Sequence, residues 1–141
     1  MRDMDAAEVR EFLAAGTRTG KVATVSRKGR PHVAPLWFVV DGDDLVFITS
    51  ASSTKGRHLR TNPQACLVVD DEMFPFAFAM VSGPVAVVEE APDRLAWSIR
   101  IAARYVPEDR VAEFGARNDA PGELLVRLHM QKVIAQADLA G

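Results

Sequence analysis

The sequence predicts an all-β domain with minor helices, in which six antiparallel strands close into a small barrel. Two successive hairpins carry this prediction, each a pair of β-rich runs joined by a short turn. The turns are Arg27-Lys28-Gly29-Arg30 and Asp41-Gly42-Asp43-Asp44. The third observation is that the long apolar runs alternate, which leaves many strand edges that closure would remove.

Ala6, Val9, Phe12 and Leu13 recur at helical spacing, so residues 5–15 read as a helix closed by Gly16. Period two then takes over. Lys21 to Ser26, Pro31 to Val40 and Leu45 to Ser50 are the first three strands. Pro31 and Pro35 imply an edge or an open stretch for the second, because proline cannot donate to a ladder. Ser52, Ser53 or Thr54 can cap a short helix that ends near Asn62, ahead of Pro63. Gln64 to Asp71 is the fourth strand and Phe76 to Glu89 the fifth, where Gly83-Pro84 implies a bulge or an edge. Pro92 opens a helix with Leu95, Ile99, Ala102 and Val106 on one face, and Pro107 starts a shorter piece to about Ala116. The last strand runs from Glu123 to Asp138 and bends near Lys132, where the apolar set changes parity.

With 141 residues and no repeat or linker, the chain reads as one domain over 1–141 with a core of its own. No apolar run approaches the ~20 residues needed to span a bilayer. The start, Met1 to Glu8, is too acidic and polar for a signal peptide. Cys66 is the only cysteine, which fits a reducing cytoplasm. A net charge of −2 argues against bulk binding to nucleic acid, so any anion site must be local. An OB-like single-strand binder would also need stacking aromatics beside the Arg27–Arg30 turn, and they are not there.

His32, His58 and His129 lack the short spacings of zinc motifs and are expected to be satisfied or solvent-facing. Cys66, inside an apolar strand, is expected to be an inert thiol. No nucleophile elbow, P-loop or dinucleotide fingerprint is present. What remains is Ser50 to Arg60, with hydroxyls at Ser50, Ser52, Ser53 and Thr54 and cations at Lys55, Arg57 and Arg60. They stand where a strand runs into a helix start, an arrangement suited to a phosphate. Lys55 and Arg57 are expected to bracket one phosphate, with the Arg27 turn lying away from it. The second unusual stretch is Pro31 to Phe38, whose free edge groups and Trp37 could meet a flat heterocycle.

The order Gly29-Arg30-Pro31, Pro35-Leu36-Trp37-Phe38, Leu45 to Ser50, Thr54-Lys55, Leu59 and Asn62-Pro63-x-Ala65 resembles the pyridoxamine-phosphate-oxidase-like split-barrel superfamily. Val68-Val69-Asp70, Gly83, Ala86 and the tail from Val133 to Leu139 extend the likeness to most of the chain from Gly20 onward. The resemblance implies an FMN-binding type of split β-barrel. It is greatest to the actinobacterial branch that uses the deazaflavin F420, with FMN as the alternative cofactor. Pyridoxamine-phosphate oxidase activity itself is disfavoured, since its substrate-phosphate residues are not found. By the same resemblance Lys55 and Arg57, assisted by Ser50, would hold the cofactor phosphate. Val33, Pro35, Leu36, Trp37 and Thr49 would line its ring. The family works as a homodimer whose second subunit closes the pocket, and Phe76 and Phe78 are the matching positions. The implied activity is hydride transfer from reduced F420 or FMN to a small organic substrate, without a protein nucleophile. The other reading is a carrier that binds a flavin-type cofactor or haem without turnover.

Overall fold

A computed structural model describes residues 1–141 and contains nine strands, all paired antiparallel, with four α-helices. The chain opens with β1 (Arg2–Asp3) and α1 (Ala6–Ala14), whose capping box joins Asp5 and Glu8. A meander follows: β2 (Gly20–Val25), β3 (Pro31–Leu36), β4 (Val39–Asp41) and β5 (Asp44–Ser50). Next come α2 (Thr54–Thr61), β6 (Gln64–Asp71) and the long β7 (Ala77–Glu89). A helical excursion, α3 (Arg94–Tyr105) and α4 (Val111–Arg117), leads to β8 (Glu123–His129) and β9 (Lys132–Ala137).

The strand order is β3-β2-β6-β7-β8-β5-β4, with β9 on β7 and β1 on β9. β7 is the seam. Phe78 to Ser82 pair with β9, and Val85 to Glu89 pair with β8, so one strand serves both halves of a split barrel. Pro84 is therefore interior, so of the two expectations for it, a bulge or an edge, the edge does not hold. It falls between the last β9 pair, Ser82 with Lys132, and the first β8 pair, Val85 with Leu128. At that gap its missing N–H has no ladder partner to lose. Gly83 has a different reason: a Cβ there would stand 2.1 Å from the His129 carbonyl, where the chain crosses from β8 to β9.

Two of the six predicted strands are broken, and β1 is additional, which is why nine are found. The run Pro31 to Val40 parts at Trp37-Phe38 because side chains of α3 replace the ladder there. Phe38 N–H donates to the Tyr105 hydroxyl at 3.3 Å, and its carbonyl accepts from Arg104 at 2.7 Å. The run Glu123 to Asp138 parts at Met130-Gln131, beside the expected bend. β3 pairs only with β2, so the proline-bearing strand does lie at an edge.

The barrel interior is filled by Phe38, Phe47, Leu45, Leu67 and their neighbours, with Val9 and Leu13 of α1 and Leu59 of α2 closing it. Outside, the two halves differ. α3 covers β4-β5-β8 through Val39, Val46, Ile101 and Leu125. No helix covers the other half. Register places Pro35, Lys21, Val68, Met80 and Ile134 in one outer row, beside Val33, Ala23 and Cys66 in the next.

Candidate functional site

The turn from β5 into α2 is built from its own hydroxyls. Ser53 caps the helix by accepting from Gly56 N–H at 3.0 Å, and its hydroxyl donates to the Ser50 carbonyl at 2.7 Å. Buried Thr49 shares a 3.1 Å bond with Ser53, and Ser50 one of 2.9 Å with Ser52. The hydroxyl run thus shapes the turn first. A Cβ on Gly56 would stand 2.1 Å from the Ser50 carbonyl, so only glycine lets the helix start this close to the strand.

Lys55 and Arg57 diverge. Residues two apart on a helix point about 200° from each other, so these cations face opposite sides of α2. Lys55 lines a hollow of about 370 Å³ with Leu36, Trp37, Ile48, Phe114 and Arg117. Arg57 lines another of about 430 Å³ with Arg27, Lys28, Arg30, His58 and Thr61. One phosphate bracketed by both is not what the helix presents, and the Arg27 turn lies beside Arg57 rather than away from it. β2 and β3 pack on α2 and bring the turn back, a non-local contact that no local motif announces.

The basic hollow holds four cations and no carboxylate. None of the four takes part in an ion pair. Behind it the fold gathers two of the three histidines that the sequence keeps apart. The His32 and His58 rings meet edge to face with centroids 6.0 Å apart. His58 Nδ1 is 3.0 Å from the Thr24 hydroxyl, whereas His32 Nδ1 is buried without a partner. His129 is exposed and 3.1 Å from Asp44.

The hollow beneath Lys55 is of another kind. Trp37 stacks on Tyr105, with centroids 5.2 Å apart and planes at 6°, and Phe114 tilts against it at 5.9 Å. The Tyr105 hydroxyl donates to the Arg18 carbonyl at 3.0 Å, and burial pushes its phenol up. Burial also pushes the Glu123 carboxyl up, against the pull of Arg94 and Lys55. Phe114, Arg117 and Glu123 carry no motif: the pairing of β8 with β5 sets Glu123 near Ile48, and the packing of α4 onto α3 adds Phe114 and Arg117.

The remaining predicted residues lie elsewhere. Val33 and Pro35 stand on the outer face of β3, with Val33 66% exposed. Phe78 is on the same outer face of the sheet, in β7. Phe76 precedes the strand that the sequence starts with it. It sits in the turn at φ 68°, packed edge-on against Phe74. A third hollow, of about 580 Å³, lies between α1 and β9, and no predicted site residue reaches it.

No curated protein sequence matches the chain. Among solved structures, an F420 reductase is 25% identical with a TM-score of 0.66, over 87% of this chain and 94% of that one. A conserved hypothetical protein from Mycobacterium tuberculosis superposes with a TM-score of 0.76 at 20% identity, over 98% and 89%. A haem storage protein from Vibrio cholerae gives 0.66 at 20% identity, over 92% and 91%. The latter two likenesses speak for the fold. The pyridoxamine 5'-phosphate oxidase family model matches residues 6–137, nearly the whole chain, and this protein belongs to that family.

Proposed function

We propose that the chain is an oxidoreductase that holds F420, or FMN in its place, and passes a hydride to a small organic molecule. The observation that carries this reading is the basic hollow, where four unpaired cations adjoin the edge strand β3. That donor set suits a phosphate, with Arg30 as a planar fork and, beside it, Arg57, whose guanidinium also donates to the Ser52 carbonyl and the Thr54 hydroxyl. The likeness to an F420 reductase favours the deazaflavin. β3 pairs on one side only, so its outward N–H and C=O groups are free for the polar rim of a flat ring. When bound, the cofactor supplies the hydride chemistry, and the chain supplies grip, orientation and a dry face.

The reading includes a homodimer. Val33, Met80 and Ile134 form a bare outer sheet face, and a twin laid on it would join Phe78 to the edge of β3 across the interface. A stable dimer of this kind buries ~2,000 Å² or more. No helix is long and apolar enough to cross a membrane, and the lone Cys66 supports a cytoplasmic placement.

Titration of the purified protein with F420 and FMN tests the cofactor. Arg57→Ala should raise the dissociation constant roughly 10- to 150-fold, the effect of one charge-assisted hydrogen bond. Arg27→Ala should weaken binding as well, because it lines the same hollow. Arg60→Ala is the control, since Arg60 pairs with Glu89 outside that hollow. If all three variants bind like the parent, the anion site is wrong. Binding without hydride transfer to any acceptor would leave the carrier reading.

A further inference from the structure

We propose that the hollow between α2, the β3–β4 break and α4 is a subsite for a flat apolar molecule bearing one carboxylate, held by Lys55 and Arg117. Its use as the substrate's place rests on the cofactor reading above, whereas the subsite itself does not.

The walls are fixed before any ligand arrives. Trp37 is immobilised by its stack on Tyr105. α4 is locked to α3 by the Ser98 hydroxyl, which donates to the Gly115 carbonyl at 2.7 Å. A Cβ on Gly115 would stand 2.7 Å from Ile99 Cγ1, so the two helices touch closely at this point. The link from Asn118 to Glu123 is bolted by Arg94, only 7% exposed. Arg94 reaches the Asp119 carboxylate at 2.7 Å and the Glu123 carbonyl at 2.8 Å. Arg117 and Glu123 are therefore delivered to the hollow from a rigid frame, not from a loose surface loop.

The polar groups inside are unmatched. Lys55 takes part in no ion pair, and Arg117 only rests over the Phe114 ring at 5.3 Å. Glu123 is the one carboxylate present. With two cations against that one carboxylate, the hollow carries an excess of positive charge between aromatic walls. One anion complements that excess, and a guanidinium fork favours a planar carboxylate. Trp37 and Phe114 favour a flat ring beside it. The volume, about 370 Å³, lies within the range usual for small-molecule sites.

Naphthalene-2-carboxylate and naphthalene-2-carboxamide are isosteric probes that differ in charge, and calorimetry on the full chain near neutral pH compares them. The acid should bind at least about tenfold more tightly than the amide. Lys55→Gln and Arg117→Gln should each remove most of that preference while the amide binds as before. Arg60→Ala should keep it. Equal binding of the two probes, no binding of either, or a preference that survives both substitutions overturns the proposal. F420 and FMN are titrated in parallel, and Arg117→Gln should leave their affinities unchanged. An acid preference in a protein that binds neither cofactor keeps the subsite and removes the cofactor reading. Cofactor binding without acid preference does the reverse.

Discussion

The two outer faces of this barrel are made of similar strands and end in opposite states. Over β4-β5-β8 the chain lays its own α3, which buries Val46, Ile101 and Leu125. Over β3-β2-β6-β7-β9 it lays nothing, and Val33 and Ile134 are 66% and 39% exposed. A largely apolar outer row left bare is the kind of surface that marks an interaction site, and the proposed homodimer would cover it. The helical excursion between β7 and β8 packs on one face only. The contrast also separates the two hollows at α2. The one under the excursion is walled by aromatic rings, whereas the one at the bare edge is polar and strongly basic.

The largest expected effect tests the bare face. Met80→Glu puts a charge in the centre of the outer row, and an unpaired charge buried in an interface costs several kcal/mol. Sedimentation should shift from dimer to monomer while the far-ultraviolet circular dichroism is unchanged. A parent protein that is already monomeric would break the comparison at its root.

The covered face should respond through folding instead. Ile101→Ala removes a side chain that is only 4% exposed, and should lower unfolding stability by about 2–4 kcal/mol in denaturant titration. Ile134→Ala, measured where any dimer is dissociated, should change it by no more than about 0.5 kcal/mol. Equal losses would mean that the two faces are not distinct.

A smaller effect belongs to Tyr105, which ties α3 to the β3–β4 break. Tyr105→Phe leaves Phe38 N–H without its acceptor and should cost about 1–2 kcal/mol. The emission of Trp37 should shift as its stacking partner loosens. In the parent, the phenol should ionise only above its ordinary range, because burial opposes the charge.

The smallest effect is a slope. Glu123 has a folded pKa raised above the ordinary carboxylate value, first by burial. Between the unfolded and folded values the native state binds more protons than the unfolded chain, so stability falls as pH rises through that window. Glu123→Gln should remove this part of the slope in thermal melts across mildly acidic pH. A slope that persists unchanged would place its origin in other carboxylates.

Much of the fold was legible from residue order alone. Hairpin turns, alternation and proline positions located every long strand to within a few residues, because turn chemistry and period two are local properties. The run Ser52 to Thr54 marked the start of α2 for the same reason, and the structure chose Ser53 among its three hydroxyls as the cap. The site was legible only in pieces. Lys55 and Arg57 stood out as a pair, yet two residues of helix turn them apart. Arg27 stood out as a basic turn, yet its place beside Arg57 follows from β2 and β3 packing on α2.

Amino-acid order by itself determined the hairpins, the helix spans to within a few residues and the family, because each rests on neighbours within a few residues or on motif order. Tertiary structure decided where β7 passes between the two halves and why Pro84 is tolerated inside it. It also decided the break at Trp37-Phe38, which exists because Arg104 and Tyr105 arrive from a distant helix to take over its hydrogen bonds. It alone assembled Arg117 and Glu123 with Lys55, since that meeting depends on the pairing of β8 with β5, on buried Arg94 and on the contact of α4 with α3. Groups brought together by packing between distant segments leave no periodic trace in the sequence, whereas groups set by turns and caps do.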